Sequence, residues 1–206
     1  MLKKLGGLAP AVGVLAVVAL AAGIASSATM PTVNDSMTHV MSVHAQTIWD
    51  ISSAAFNKKG DGLVAKKISP GDWKRLGEAG RQLKERATLM AKADRMIVSV
   101  RGEHVLGEEA ANGGPHDAAS AKQIQAMIDR DHKQFVRRAM TLAEAGAAME
   151  KAAKARDVRG VYKVSSNLDE VCDGCHEPFW GTDDPPPVPK GYIPVLKGYI
   201  PVPKGK

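Results

Sequence analysis

Two cysteines three residues apart, directly followed by a histidine, are the side chains of this chain best suited to chemistry. They form the run Cys172-Asp173-Gly174-Cys175-His176. On a helical turn, each thiol can form a thioether with one vinyl group of haem, and the next imidazole can ligate the iron. A thioredoxin-type redox pair or half of a zinc site are the alternatives. Zinc needs two more ligands, and the chain has only two cysteines. A redox pair is expected in a βαβ unit, so the run favours one covalently bound haem c.

The first 28 residues have the three parts of a secretory signal peptide. Lys3 and Lys4 supply the charge, residues 8–24 are mainly apolar, and small residues end at Ala28. An uncleaved membrane anchor is the alternative, but the apolar stretch is short for a span and contains two glycines and a proline. We therefore expect a mature chain that begins at Thr29 and lies outside the cytoplasm. The bacterial periplasm is the expected compartment, because c-type haem is attached there after export.

Residues 29–180 are sufficient for one domain with a hydrophobic core. Alanine is abundant, aromatic residues make up 4% of the chain, and long stretches lack the alternation of strands, so the composition predicts an all-α domain. The formal charge of the chain is +6. It falls to +2 for the domain, since the signal has two lysines and the tail has four lysines and two aspartates. This charge supports an acidic partner only weakly and gives no indication of nucleic-acid binding.

Apolar periodicity and capping residues predict the first two helices. The first begins after one of the N-cap candidates at residues 34–36 and continues to about Phe56. The second has Ser69 as N-cap and Pro70 as its first residue, and it reaches Ile97.

The second half of the domain begins with a predicted surface loop at residues 101–118. A third helical region follows from Ser120 to about Arg156, with a break where Asp131 caps a second segment. The last helix begins at Asp157 and continues into the cysteine motif. Four helices with one long connection predict an antiparallel four-helix bundle whose core encloses the haem. The predicted apolar positions of the third region are Ile124, Met127, Ile128, Phe135, Met140, Leu142 and Met149.

The motif and the helix layout together resemble the class II c-type cytochromes, the family of cytochrome c′ and its low-spin relatives. Members are four-helix bundles with the Cys-x-x-Cys-His motif in the last helix. The resemblance covers about residues 37–179 and includes Phe179, three residues after His176. The family usually has a basic residue after this phenylalanine, whereas this chain has Trp180. The resemblance implies redox partner proteins and is compatible with a homodimer through the first two helices.

The start of the domain is similar to the first helix of a subgroup of exported haem proteins in this superfamily. The similar residues are Met37 and Val40, followed by Ile48 and Trp49; a proline that is frequent in the subgroup is Val43 here. Because low-spin relatives supply a methionine sulfur from this helix, the resemblance implies Met37 as the distal iron ligand.

Other candidates for the distal position remain open. Met41 and His44 share the predicted helical face of Met37 and are the alternatives, whereas His39 lies on a different face and is expected in solvent. The iron is five-coordinate if these residues serve only for packing. We expect His104, His116 and His132 at the surface. The candidate partners of the haem propionates, which the sequence does not rank, are Arg81, Arg86, Arg95, Arg137 and Arg138.

The distal ligand determines the function. A sixth ligand closes the iron and favours electron transfer, whereas an open position allows NO or CO to bind. We predict a periplasmic electron carrier, with a five-coordinate gas-binding haem protein as the alternative. A recognisable distal acid–base pair is missing, so an enzyme such as a peroxidase is not predicted. Nucleic acid is not an expected partner, and no membrane contact is expected beyond the export signal.

Residues 181–206 differ from the domain in composition. Two nearly identical seven-residue stretches, Lys190 to Leu196 and Lys197 to Pro203, follow a run of prolines. Prolines at this density exclude helix and central strand. We expect a disordered tail; a docking strip for a partner is the alternative.

Overall fold

The computed structural model describes the chain at residues 30–101, 103, 105 and 119–180. The chain divides into two compact units, Met1–Met30 and Pro31–Lys206. Every helix discussed below belongs to the second unit. None of the described helices is long and apolar enough to cross a membrane.

Three of the predicted segments lie outside the described residues. They are the signal peptide at residues 1–28, the tail at residues 181–206, and nearly all of the loop at residues 102–118. The loop includes His104 and His116. These predictions remain untested.

The described part of the chain is all-α, as the composition predicts, and it contains no strand. A single turn of 3₁₀ helix, Ala65–Lys67, lies in the connection before the third α-helix. The other helical elements, in chain order, are α1 (Val33–Ser36), a π-helical segment (Met37–Met41), α2 (Ser42–Ala55), α3 (Pro70–Lys92), α4 (Ala121–Arg130), α5 (His132–Ala155) and α6 (Val158–Phe179).

The first helical run begins earlier than predicted. Thr32, and not one of residues 34–36, is the N-cap, because its side-chain oxygen accepts a hydrogen bond from the Asp35 N–H at 2.9 Å. The elements α1, the π-helical segment and α2 then follow one another without interruption. The prediction failed because Thr32 precedes the apolar-periodic residues from which the helix start was inferred.

The second predicted helix, α3, begins where expected and ends early. Ser69 and Asp72 form a capping box in which each side chain accepts a hydrogen bond from the other's N–H. The helix ends at Lys92, so the prediction that it reaches Ile97 is wrong. The Ile97 carbonyl accepts a hydrogen bond from the Val33 N–H at 2.8 Å. The chain after α3 therefore pairs with the start of α1 instead of adding a helical turn.

The predicted break in the third helical region is confirmed. Ser120 caps α4, and Asp131 caps α5 by accepting a hydrogen bond from the Gln134 N–H at 2.9 Å. Asp157 caps α6 in the predicted way and accepts a hydrogen bond from the Arg159 N–H at 3.1 Å. Polar caps therefore define the start of each of these helices.

The long helices pack around one hydrophobic core, with α2 and α5 each in contact with both α3 and α6. Two contacts show that α2 is antiparallel to its neighbours. Arg86, near the end of α3, pairs with Asp35 of α1 at 3.0 Å. Phe56, just after α2, meets Tyr162, near the start of α6, edge to face with ring centroids 6.0 Å apart.

One predicted core residue of α5 is wrong. Met140 is 40% exposed, whereas Phe135, Ala139 and Ala143 are buried. The buried residues of α5 recur mainly every three or four positions along one face of the helix. Met140 immediately follows one of them and therefore points outward.

The backbones of α3 and α5 are in close contact within the core. A Cβ atom added to Gly80 would lie 2.7 Å from the Gly146 carbonyl oxygen and 2.5 Å from the Glu150 nitrogen. A Cβ atom added to Gly146 would lie 2.7 Å from the Gly80 carbonyl oxygen and 2.6 Å from the Lys84 nitrogen. Only glycine fits at these two positions, which we call the glycine crossing.

Candidate functional site

A cavity of about 440 Å³ lies on one side of the glycine crossing, between the first helical run, α3, α5 and the end of α6. Its volume is in the range of about 300–1,000 Å³ that is typical of ligand and cofactor sites. Along α3 and α5 it lies on the side of the crossing towards Met90 and Phe135. The lining residues from these two helices are mostly apolar: Leu83, Ala87, Met90, Phe135, Arg138, Ala139 and Leu142.

The last turns of α6 contribute the cysteine motif to this cavity. Cys172, Cys175 and His176 all line it, so the helix presents both thiols and the imidazole to the same space, as the spacing predicts. The His176 ring meets Trp180 edge to face with centroids 5.1 Å apart. Phe179 is buried beside these residues, with 4% of its surface exposed.

Burial determines the protonation of the motif. It raises the pKa of both thiols to about 11. At Cys172, the carboxylates of Asp169 and Asp173 raise the pKa further, whereas at Cys175 the positive charge of Arg138 opposes the shift. The thiols are therefore protonated at neutral pH, unlike the low-pKa cysteines of thiol redox proteins. Burial also lowers the pKa of His176, against the effect of Asp173. The imidazole is thus neutral at pH 7, which is the form that binds a metal.

The opposite wall of the cavity comes from the first helical run, where Met37 and Met41 both line it. These residues begin and end the π-helical segment, whose turn is wider than an α-helical one. The wider turn rotates the following residues relative to an unbroken α-helix. The lining therefore continues at Ala45 and Trp49, four and eight residues after Met41.

The structure does not bring His44 to the cavity. Its side chain lies near Glu78 and Arg81 of α3, and partial burial lowers its pKa while Glu78 opposes the shift. The rotation at the π-helical segment accounts for its departure from the face of Met37. His39 is exposed, as predicted, with its Nδ1 atom 3.3 Å from an Asp35 carboxylate oxygen.

Of the five arginines considered as propionate partners, Arg138 alone lines the cavity. Its Nη1 atom lies 3.1 Å from the position that a Cβ atom on Gly174 would occupy, so this glycine leaves room for the guanidinium beside the motif. Arg137 is exposed and is not a lining residue. The other three arginines pair with acidic residues: Arg81 with Glu78 and Glu85, Arg86 with Asp35, and Arg95 with Asp129.

No family model, no curated protein and no solved structure matches the chain. The function must therefore be inferred from the side chains that the cavity brings together. Two thiols, one imidazole and three thioethers, those of Met37, Met41 and Met90, lie in its largely apolar wall. In the part of the chain that the structure describes, no group of three or more His, Cys, Asp and Glu side chains is arranged to hold a metal ion.

Sequence reasoning missed two buried polar groups, one on a residue that lines the cavity and one behind the cavity wall. The indole N–H of Trp49 is buried and has no hydrogen-bond partner among the described residues. Gln125, 3% exposed, accepts a hydrogen bond from the Val98 N–H at 2.8 Å and donates one to the Met96 carbonyl at 2.9 Å. This amide holds the segment that carries Val98 against the cavity. Its signal was a glutamine directly after Ile124, on the apolar face of α4.

Proposed function

We propose that the chain is an exported c-type cytochrome that carries single electrons through one haem attached to Cys172 and Cys175. One observation carries this proposal: the thiols and imidazole of α6 and two methionines of the first helical run line the same apolar cavity. Covalent haem needs two thiols beside a proximal imidazole, and a thioether is a common second axial ligand. A thiol redox protein has no comparable use for the methionines or for the cavity.

The residues of the wall fit a haem. His176 is neutral and is the proposed proximal ligand, and the protonated thiols are available for thioether formation. Arg138 lines the cavity and forms no ion pair within the described residues, so it is our candidate partner for a haem propionate.

Met37 is our proposed distal ligand, as the resemblance to low-spin class II cytochromes implies. Met41 is the alternative with equal support from the cavity, since both side chains line it. Met41 is 5% exposed and also belongs to the core, which is consistent with a packing role. His44 is the weakest of the three candidates because it is not a lining residue.

When bound, the haem supplies a one-electron couple. The residues of the chain fix its position and adjust its potential. Apolar side chains such as Leu83 and Phe135 exclude water from the cavity, and low solvent exposure is one of the factors that set a haem potential. A methionine ligand raises the potential and closes the iron to small gases. These roles require no acid–base catalysis, so we propose a carrier and not an enzyme.

We also propose the antiparallel four-helix bundle of class II cytochromes as the architecture. Its support is that α2 and α5 each pack against both α3 and α6, with α2 antiparallel to both neighbours. The proposed localisation is the periplasm, after removal of residues 1–28, and the proposed partners are redox proteins. The export signal of the sequence supports the localisation.

Expression in a host that exports proteins and attaches c-type haem tests the cofactor. We expect a coloured product whose haem is retained in acid–acetone. The double variant Cys172→Ala/Cys175→Ala is expected to lose covalent haem, whereas His39→Ala, which changes an exposed histidine outside the cavity, is expected to keep it. A colourless wild-type product, or haem that acid–acetone extracts from it, contradicts the proposal.

Optical and magnetic spectra of the holoprotein test the distal ligand. We expect a low-spin ferric spectrum with a methionine-to-iron charge-transfer band, and conversion to high spin in Met37→Ala but not in Met41→Ala. The reverse pattern assigns the ligand to Met41. A high-spin wild-type spectrum that changes with CO in the ferrous state instead supports the five-coordinate gas-binding alternative.

A further inference from the structure

Cationic side chains are concentrated at the end of the helical domain opposite the cavity. Two segments form this end: residues 57–75, which connect α2 to α3 and begin α3, and residues 150–163, which include the α5–α6 turn. Together they contain eleven lysines and arginines against four acidic residues. The remaining described residues contain eleven against thirteen. We call these two segments the basic end.

The two segments lie together and away from the cysteine motif. Phe56, beside the first segment, contacts Tyr162 of the second with ring centroids 6.0 Å apart. A Cβ atom on Gly77 would lie 3.7 Å from the Cβ of Ala153. Lys163, the last residue of the basic end, precedes Cys172 by nine residues on α6, which is about 14 Å along a helix axis. The basic end is therefore a surface separate from the cavity.

Helix stability explains only some of these charges. Lys151, Lys154 and Arg156 lie at the end of α5, where cations are favourable to the helix dipole. Arg159 lies in the first turn of α6, where a cation is unfavourable, and Lys163 follows one turn later. Both are exposed and form no ion pair within the described part of the chain.

The connection between α2 and α3 adds further charge of the same sign. Lys58, Lys59 and Lys66 are exposed and likewise have no acidic partner among the described residues. Lys67 donates a hydrogen bond to the Phe56 carbonyl at 2.7 Å, so it has a local structural role. Five exposed cations at this end, three lysines here and two on α6, thus have no acidic partner in the part of the chain that the structure describes.

The composition of the surface distinguishes between kinds of partner. The large hydrophobic side chains that are exposed in the described residues all lie outside the basic end: Met30, Val43, Leu89, Val100 and Met140. A membrane-binding surface combines cations with apolar side chains that insert into the lipid. A nucleic-acid surface combines them with stacking aromatics. The basic end has no exposed large apolar side chain, and its aromatic rings are not free to stack: Trp73 is buried, and Tyr162 is half-buried against Phe56. This composition suits the polar rim of a protein–protein contact.

We propose that the basic end binds an acidic surface of a partner protein, on the side of the domain away from the cavity. Binding is electrostatic, so it accelerates association and weakens as salt increases. The proposal does not depend on the bound haem, since none of the charges involved lines the cavity. The small net charge of the domain does not indicate this surface, because the acidic residues lie mainly outside the basic end.

Poly-L-glutamate, fluorescently labelled, is the probe for an acidic polypeptide, and anisotropy measures its binding to the full protein. The test variant is Lys58→Gln/Lys59→Gln/Arg159→Gln/Lys163→Gln. The matched control removes the same charge from exposed cations elsewhere, with Lys92→Gln/Lys122→Gln/Lys133→Gln/Arg137→Gln. Since exposed ion pairs contribute up to about 1 kcal/mol each, we expect the test variant to lose at least about fivefold in affinity and the control less than about twofold.

Equal losses in the two variants would mean that net charge alone attracts the probe, and this result overturns the proposal. Absence of binding by the wild type at low salt overturns it as well. Vesicles of phosphatidylglycerol provide the comparison for a membrane. If they bind the wild type more tightly than the polypeptide does, and the test variant abolishes their binding, the surface serves a membrane and the proposal is wrong. Thermal unfolding of each variant verifies that it is folded.

Discussion

The helices α3 and α5 touch at one place and separate at another, and the two regions have opposite requirements. At Gly80 and Gly146 the backbones are in contact, so there is no space for even one methyl group. Towards Ala87 and Ala139 the same helices border a cavity of about 440 Å³. The apolar character of the side chains is similar in both regions. The two glycines therefore mark the region of backbone contact, which is distinct from the region that borders the cavity.

The consequence for stability differs between the regions. At the crossing, Met149 is 0% exposed and does not line the cavity, so it is packed as in an ordinary protein core. Around the cavity, side chains such as Met37 lack neighbours on one side and lose the corresponding dispersion contacts. An occupant of the cavity restores them. We therefore expect mutations at the crossing to affect folding and mutations at the cavity to affect binding.

The largest effect is expected for Gly146→Ala. The new methyl group would lie within 2.7 Å of backbone atoms of α3, so the helices must move apart. We expect a loss of about 3 kcal/mol or more in the free energy of unfolding, measured by denaturant titration with circular dichroism. Gly77→Ala on α3 is the control, because its Cβ would be at an ordinary 3.7 Å from Ala153. It is expected to be neutral or to stabilise by up to about 1 kcal/mol. Equal destabilisation by both variants would contradict the crossing.

A second comparison uses two buried alanines one turn apart on α5. Ala139 is 5% exposed and lines the cavity, whereas Ala143 is 4% exposed and does not. We expect Ala143→Leu to lower the unfolding free energy by about 2 kcal/mol through overpacking, and Ala139→Leu to change it by less than about 0.5 kcal/mol when the cavity is empty. The same titration measures both. A similar cost for Ala139→Leu would mean that the cavity cannot accommodate a larger side chain.

Local signals were sufficient to predict much of the fold. Ser69, Asp131 and Asp157 were recognised as N-caps because capping depends on residues within one turn. The end of α3 was missed, since it depends on a hydrogen bond between Ile97 and Val33, which are far apart in sequence. The glycine crossing was missed for the same reason, as a glycine in a helix does not identify the backbone that it contacts.

The candidate site divides in a similar way. The spacing of Cys172, Cys175 and His176 was sufficient to predict that one face of a helix carries all three. The face of His44 was mispredicted because the periodicity assumed an unbroken α-helix, and the π-helical segment before it was not visible in the sequence. The arginines could not be ranked from the sequence, since the acidic partners of Arg86 and Arg95 come from distant segments.

Near the cavity, buried hydrogen bonds contribute to the stability of the fold, whereas at the crossing steric fit does. Gln125 is the clearest case, because its amide satisfies the Val98 N–H and the Met96 carbonyl in the interior. Gln125→Ala leaves both groups unpaired, and we expect a loss of about 1.5 kcal/mol in the free energy of unfolding. Gln134→Ala, in a half-buried position on α5, is expected to change it by less than about 0.5 kcal/mol. Amide hydrogen exchange at Val98 should become faster in Gln125→Ala and not in Gln134→Ala, because only the first variant removes the acceptor of this N–H. Unchanged exchange at Val98 in Gln125→Ala would contradict the structural role of Gln125.

The smallest expected effect is electrostatic and lies beside the crossing. Hydrogen bonds from Lys154 and then Lys84 hold the pKa of Glu150 below its ordinary value of 4.5. A lowered pKa in the folded state means that the carboxylate stabilises the fold above pH 4.5 and that this contribution is lost as the pH falls through the lowered pKa. Because Lys154 is 71% exposed, we expect Glu150→Gln to cost no more than about 1 kcal/mol at pH 7.

The pH dependence of this difference separates charge from packing at the crossing. The unfolding free energies of wild type and Glu150→Gln should converge as the pH falls well below 4.5, because the protonated carboxyl resembles the amide. Glu144→Gln, an exposed position on the same helix, should show no such convergence, since Glu144 has no ion-pair partner among the described residues. If the difference in unfolding free energy between wild type and Glu150→Gln stays constant with pH, its cause is packing against Gly80 and not the charge of Glu150. The ion pairs of Glu150 would then contribute nothing to the contact between α3 and α5.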